Sequence, residues 1–293
     1  MSDYVIISDA TLDLPLDVLE QHKIHVIPMT FILNDISYTH YPDEREITIA
    51  DFYKTISEGG LSQSSQISPM IYQEFMENFL KQGKDIYYIA FSSGLSGTYN
   101  TGRMVMEHLK EKYPDRKIIC TDTLCASIGE GLLVLTAAKK KEEGLSIEEL
   151  QQWVEENRMH FMHWFTVKDL FYLKRGGRLS SLEALVGTAL KIRPVLTTDE
   201  EGKLVVYSKI RGSKKELEFL VNALETQAID PSTQTIIIAH SENLEQAKAL
   251  EQLIIEKKLV KEIIISQIGP IIGTHTGPGM LALTFYGNKP SNS

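Results

Sequence analysis

A chain of 293 residues, 43% hydrophobic and 24% charged, is long enough for two domains around a sizeable core and has a globular composition. Its formal net charge of −9 and pI near 5.5 argue against nucleic acid or an anionic membrane as the main partner, while leaving room for an apolar ligand or transient membrane contact. No apolar run approaches the roughly 20 residues that span a bilayer; no signal-like segment precedes the first strand, and Cys120 and Cys125 read as reduced thiols, so the expected location is the cytoplasm.

The first half alternates strands and helices. Residues 4–8 form a short apolar strand ending in the polar loop 9–13, residues 16–22 a helix with Pro15 near its first turn, and residues 24–29 a second strand. A loop or hairpin over 34–43 and an amphipathic helix over 48–57 lead to Gly59-Gly60 and a polar stretch. There Ser68 and Pro69 form an N-cap and first turn for a helix to about residue 82, which puts Ser64 and Ser65 just upstream of a helix N-terminus. The apolar run 86–91 reads as a buried parallel strand, and 99–112 as a helix. A strand over 117–121, a helix over 127–143 ending before Gly144, and a helix opened by the Ser146/Glu149 capping box complete this half. Such alternation predicts a mainly parallel sheet flanked by helices, with ligands beyond the carboxyl ends of its strands, where Asp9, Ser64 and the loop 92–98 are expected.

The second half changes character. A strand over 161–166 and a short helix over 169–174 precede Arg175-Gly176-Gly177-Arg178, and Ser180 with Glu183 has capping-box spacing for a helix to about residue 190. Strands over 195–198 and 204–209 flank a hairpin signal at 199–202. Helices over 213–226 and 243–257 alternate with strands over 235–239, 262–266 and 281–285. The expected fold is therefore α/β with two α/β domains, residues 1–155 and 156–293, the second built on a mixed or antiparallel sheet.

One stretch stands out for chemistry. Ser92-Ser93-Gly94-Leu95-Ser96-Gly97-Thr98 turns a buried strand into a helix, and the first N–H groups and dipole of that helix suit an anion. The same residues also fit a plain helix cap. Neither a P-loop nor G-x-G-x-x-G follows a strand. The hydrolase elbow G-x-S-x-G begins at Gly94 and fails at Thr98. His275 sits in the glycine-rich turn Gly273-Thr274-His275-Thr276-Gly277-Pro278-Gly279 before the last strand and is a candidate polar site residue or a structural one. His160 and His163, three apart on a strand, point to opposite faces and are rejected as a metal pair. The residues of Arg175-Gly176-Gly177-Arg178 alone favour a turn with solvated arginines.

Taken together, Ser8-Asp9-Ala10-Thr11, Ser64-Ser65-Gln66, Ser93 to Thr98, Leu173 to Arg178, Arg193-Pro194-Val195-Leu196 and Gly273 to Gly279 resemble the DegV family, bacterial fatty-acid-binding proteins, in order over residues of about 3–286. In the family's usual Thr-Ser-Gln-Pro, Ser64 stands for the threonine and Ile67 for the proline. The resemblance implies two α/β domains with a long-chain fatty acid such as hexadecanoate between them, its carboxylate held by Ser64 and Ser96 with His275 nearby. Ser65, Thr98, Arg175 and Arg178 become further head-group or partner contacts. It also implies a carrier and not an enzyme, presenting the acid to a separate fatty acid kinase subunit whose own ATP and Mg make acyl-phosphate for phospholipid synthesis. An acyltransferase and transient membrane contact are further implied partners; no metal, cofactor or nucleic acid is. Two other readings stay open on the residues alone. One is a serine acyl hydrolase with Ser96 as nucleophile, His275 as base and Asp9 or Asp122 as acidic partner. The other is a protein that binds a small polar anion.

Overall fold

Tyr4 to Asp9 are buried without exception, as a strand covered on both faces must be. In the computed structural model, which describes residues 4–179 and 192–289, this strand is β1 (Tyr4–Asp9). It leads to α1 (Leu16–Gln21), β2 (Ile24–Ile27), β3 (Met29–Leu33), β4 (Ile36–His40) and α2 (Ile49–Ser57). Next come β5 (Ser62–Ser64), α3 (Pro69–Leu80), β6 (Asp85–Ala90), α4 (Thr98–Lys112), β7 (Ile118–Asp122), α5 (Ile128–Glu142) and α6 (Ile147–Asn157). The chain continues through β8 (Phe161–Thr166), α7 (Phe171–Arg175), β9 (Ile192–Thr198), β10 (Leu204–Arg211) and α8 (Ser213–Gln227). It closes with β11 (Thr235–His240), α9 (Leu244–Glu256), β12 (Glu262–Gln267), α10 (Pro270–Thr276) and β13 (Leu281–Tyr286).

The fold is α/β, with a parallel sheet in the order β2-β1-β6-β7 and a mixed six-stranded sheet in the order β10-β9-β8-β13-β11-β12, both flanked by helices. A third, antiparallel sheet, β4-β3-β5, takes the hairpin alternative over 34–43 and adds a strand, β5, where a loop around Ser64 was expected. The single strand expected over 24–29 breaks at Pro28, which cannot donate to a ladder, so β3 leaves the parallel sheet and starts a new one. Asn34 and Asp35, with φ of 49° and 63°, turn β3 back into β4, the geometry of a two-residue hairpin. Ser64 thus ends a strand, paired with Phe31, and does not lie in a loop at the edge of the parallel sheet. The helix expected from Ser180 lies outside the described residues. Among those described, no helix is long and apolar enough to cross a membrane.

Helix α5 joins the two large sheets. It is buried almost all round, as a helix apolar on every side must be, and touches β2 as well as β8, β11 and β13. One apolar core therefore contains Ile6 and Ile89 from the parallel sheet, Leu132 and Leu133 from α5, and Phe165 and Ala282 from the mixed sheet. Two glycines permit that closeness. A Cβ on Gly129 would lie 1.8 Å from His163 Nε2, and one on Gly131 2.4 Å from the Leu12 carbonyl.

Beside α5 lies a buried acid cluster whose protons can be counted. Ser8 Oγ is 2.8 Å from Ile89 O and 2.9 Å from Glu130 Oε1, while Thr11 Oγ1 is 2.5 Å from Asp9 Oδ1 and 2.9 Å from Glu130 Oε2. Each hydroxyl has one proton to donate. Two protons cannot fill four contacts, so at least one carboxyl proton is needed beside them. Burial raises the Asp9 carboxyl and, with the charge of Asp9, holds that of Glu130 well above its ordinary range, so this pair retains protons that exposed carboxyls would lose.

Candidate functional site

The loop after β6 is held from two sides. Ser92 Oγ donates to Gly202 O at 2.9 Å, at the tip of the β9–β10 hairpin, and Ser93 N donates to Asp122 Oδ1 at 3.1 Å. Gly94 is required here, because a Cβ would lie 2.4 Å from the Glu201 carbonyl. Ser96 Oγ accepts from Thr98 N at 3.2 Å and pairs with Thr98 Oγ1 at 2.8 Å, at the start of α4. When buried Thr98 gives its proton to Ser96, the Ser96 proton is free to point outward. Below, Tyr72 Oη donates to Thr98 O at 2.9 Å and meets Tyr88 Oη at 2.9 Å, and Tyr88 donates to Asp9 Oδ2 at 2.9 Å. The first turn of α4 is therefore tied to the acid cluster.

His275 reaches this region from the other end of the chain. The expected turn around it is helical up to Thr276, and the turn itself is confined to Gly277 and Gly279, with φ of 68° and 86°. Low intrinsic helix propensity is overridden because α10 is buried against α2, β3 and β5, with Tyr53 Oη donating to Ile268 O at 3.0 Å. His275 Nε2 lies 2.7 Å from Ser64 Oγ, and the neighbouring Ser62 Oγ lies 2.6 Å from Thr274 Oγ1. Burial, helped by the charges of Arg178 and Arg175, lowers the His275 pKa to about 4, so the ring is neutral at pH 7. Its Nδ1 is buried without a partner among the described residues. Leaving a lone pair unpaired costs less than leaving an N–H unpaired, which assigns the proton to Nε2. Ser64 then accepts from His275 and keeps its own proton for a third group.

The 175–178 segment does more than turn the chain. Arg178 Nε donates to Leu95 O at 3.1 Å and its Nη1 to Gly176 O at 2.5 Å, tying the segment to the Ser96 loop. A Cβ on Gly176 would lie 2.1 Å from His275 Nδ1. Arg175 stays outside, its guanidinium 5.0 Å from the Tyr172 ring centre.

These groups face a cavity whose empty space, with the open solvent at its mouth counted in, is about 940 Å³. Most of its wall is apolar, from residues such as Phe91, Leu95, Phe165 and Met280; Ser64, Ser65, Ser96, Arg178 and His275 contribute polar atoms. Ser64, Arg178 and His275 also line an outer depression that includes Arg175 and Leu61, which locates the mouth at the polar end. Gln66, absent from the sequence-based candidates, lines the cavity too and packs its amide where a Cβ on Gly97 would be, 2.5 Å from Nε2. Its place two residues after Ser64 was the available signal; for Gly176 there was no local one.

The residues of a serine hydrolase are not brought together. His275 bonds Ser64, not Ser96. Asp122 accepts from the Ser93 and Leu124 amides, and Asp9 from Thr11, Tyr88 and the Phe91 amide, so neither reaches His275 Nδ1. His160 Nδ1 is 3.1 Å from Gly287 O while His163 is buried against Gly129, so these two histidines share no site.

Comparison with known proteins adds a family. The profile of one described as "Uncharacterised protein, DegV family" matches residues 3–288. The chain is 42% identical over 288 residues to a DegV domain-containing protein of Clostridium perfringens, covering 98% of this chain and 99% of that one. It is similar to a DegV lipid-binding protein from Thermotoga maritima, with a TM-score of 0.85 and 30% identity over 99% of this chain and 100% of that one. A DegV family protein from Thermus thermophilus, described by its fatty acid binding, gives a TM-score of 0.85 and 29% identity over 98% of this chain and 100% of that one.

Proposed function

This chain belongs to the DegV family, and from that premise and the chemistry of its cavity we propose that it binds a long-chain fatty acid, such as hexadecanoate, and presents it to a separate fatty acid kinase subunit. The observation that carries the reading is a mainly apolar cavity lined by Ser64, Ser96 and His275, of which Ser64 and His275, bonded to each other, also reach its outer depression. Lipid binding in the Thermotoga relative and fatty acid binding in the Thermus one support it.

In this reading Ser64 and Ser96 each direct a hydroxyl proton at the carboxylate. His275 donates to Ser64 from behind, and the N-terminus of α4 adds its dipole. A chain of about 14 methylenes at roughly 0.8 kcal/mol each gains up to about 11 kcal/mol on burial, against about 1 kcal/mol for a neutral hydrogen bond. The tail sets affinity and the head sets orientation. Arg178, which already donates to two backbone carbonyls, is not a bidentate clamp, so one carboxylate oxygen remains available to attack the γ-phosphate of the kinase's ATP. ATP and Mg stay with the partner; Ser65 on the cavity wall and Arg175 at the rim are further contacts, while buried Thr98, bonded to Ser96, acts through that serine.

Native mass spectrometry of freshly purified protein tests the carrier reading. A bound long-chain fatty acid, lost on organic extraction, is the expected result, and protein that neither carries nor takes up any such acid sinks it. The head-group assignment has its own check. Ser64→Ala with Ser96→Ala weakens acid binding by about a hundredfold or more, the worth of two hydrogen bonds to a carboxylate. Acyl-phosphate formation at saturating acid falls further still; equal losses in both assays would remove the two serines from the presenting role.

A further inference from the structure

The wall of the same cavity carries a second polar group. His163 on β8, Thr198 on β9 and Thr284 on β13 all line it, and all three are buried. Strand alternation puts them on one face of the mixed sheet, the face that bears Phe161, Phe165, Leu196 and Ala282 in the core shared with α5. They also form a row across three neighbouring strands. Thr284 pairs with His163, and the register that sets Phe165 against Leu196 carries on to set Thr198 against His163.

The hydrogen bonds of this row leave donors over. His163 Nε2 accepts from Ala126 N at 3.2 Å, so its proton is on Nδ1, 3.5 Å from Thr198 Oγ1. At that length Thr198 is only a weak acceptor toward the histidine, whose ring N–H also meets the Phe161 backbone, and Thr198 retains its own proton. Thr284 Oγ1, on a residue with no exposure, has no hydrogen-bond partner among the described residues. A buried hydroxyl without a partner is costly, and valine would line the same wall at similar size without that cost. A plain alkyl chain offers these hydroxyls nothing. An oxygen on the chain would accept from them. A second carboxylate is a poor match, since burial holds His163 neutral and the row contains no cation.

We propose that Thr198, His163 and Thr284 form a second subsite that receives a hydrogen-bond acceptor partway along the acyl chain, so that the cavity takes hydroxy or oxo fatty acids. The proposal rests on the carrier reading and deepens it from fatty acids in general to oxygenated ones. A purely apolar pocket rejects an added hydroxyl only weakly, whereas a site built to bond one discriminates by position.

The experiment is a binding series on the full chain, using octadecanoate and its positional hydroxy and oxo isomers, with Thr284→Val and Thr198→Val alongside. The expected result is that one mid-chain isomer binds at least as tightly as octadecanoate while isomers with the oxygen elsewhere bind about tenfold more weakly. In Thr284→Val the favoured isomer loses about fivefold or more, and octadecanoate is held as well as before or better. Thr198→Val gives the same pattern and serves if the first variant folds poorly. The subsite is overturned if octadecanoate binds but every oxygenated isomer is weaker, and the valine variants leave the ranking unchanged. If octadecanoate itself does not bind, the carrier reading falls and takes the subsite with it.

Discussion

Gly129→Ala is expected to destabilise the protein by about 3 kcal/mol, although alanine is the better helix former by up to about 1 kcal/mol. Gly129 lies in the first turn of α5, and its added methyl would sit 1.8 Å from His163 Nε2 and 2.0 Å from Cδ2. The ring cannot retreat freely, because it is buried and accepts the Ala126 N–H. Overpacking costs about 1–3 kcal/mol, and an amide left unpaired adds about 1–3 more. Either exceeds the propensity gain. Thermal unfolding should show a fall of about 5–10 °C for a chain of this size. Combining Gly129→Ala with His163→Ala, which removes the obstruction, should cost less than the sum of the two single changes. A melting temperature at or above that of the unsubstituted protein would mean that α5 and β8 are not in contact as described.

Asp13→Asn is expected to stabilise the protein at pH 8 and leave it nearly unchanged at pH 4. Burial raises the Asp13 carboxyl to about 7, from an ordinary 3.8, despite bonds accepted from Ser127 Oγ at 2.5 Å and Gly269 N at 2.8 Å. The unfolded chain therefore releases this proton first as pH rises. Asp13 contributes fully below about pH 4, and its contribution is lost as pH rises through about 7, a swing of about 4 kcal/mol at 1.36 kcal/mol per unit. Asparagine can keep the Gly269 bond, turn its amide toward Ser127, and has no proton to lose. Glu130, raised well above its ordinary value, acts in the same sense, so Glu130→Gln should flatten the profile further. Buried His40 and His163, held down to about 4, work oppositely, gaining stability as pH rises toward 6.5. The informative quantity is therefore the difference between variant and unsubstituted protein in urea unfolding at each pH. A difference that does not change with pH would show that Asp13 titrates normally.

Much of the α/β order was legible because burial writes itself into β1 and β6 as unbroken apolar runs, and Ser146/Glu149 does form a capping box. The three-stranded sheet was not, since Ser62 to Ser64 is polar and earns its pairing from β3 alone. Ser64, Ser96 and His275 were recognisable as residues through motif resemblance, but their arrangement was not. That His275 would lie on a helix and bond Ser64 depends on α10 being buried by α2 and β3. Local propensity pointed to a turn. Arg178 illustrates the same limit, because its ties to Leu95 and Gly176 have no counterpart in the charges around it. The Thr198–His163–Thr284 row was invisible, being three unremarkable residues on three strands until register aligns them.

Helix α10 reaches the mouth of the cavity from far along the chain. Ser62–Thr274, Ser64–His275 and Tyr53–Ile268 bridge separations of 212, 211 and 215 residues. During synthesis, Tyr53, Ser64 and Ser96 leave the ribosome well before this helix, and the entropy of closing so long a loop must be met before any of its contacts forms. The mouth of the cavity is therefore completed only once α10 has been made, and it belongs to no fragment that lacks this helix. Until α10 docks, the side of Phe52 and Tyr53 against which Gly273 rests is uncovered, although Phe52 already has Phe31 to pack on. A nascent chain stalled ahead of Pro270 lacks both the Ser64–His275 bond and the Ser62–Thr274 bond that close this end of the cavity.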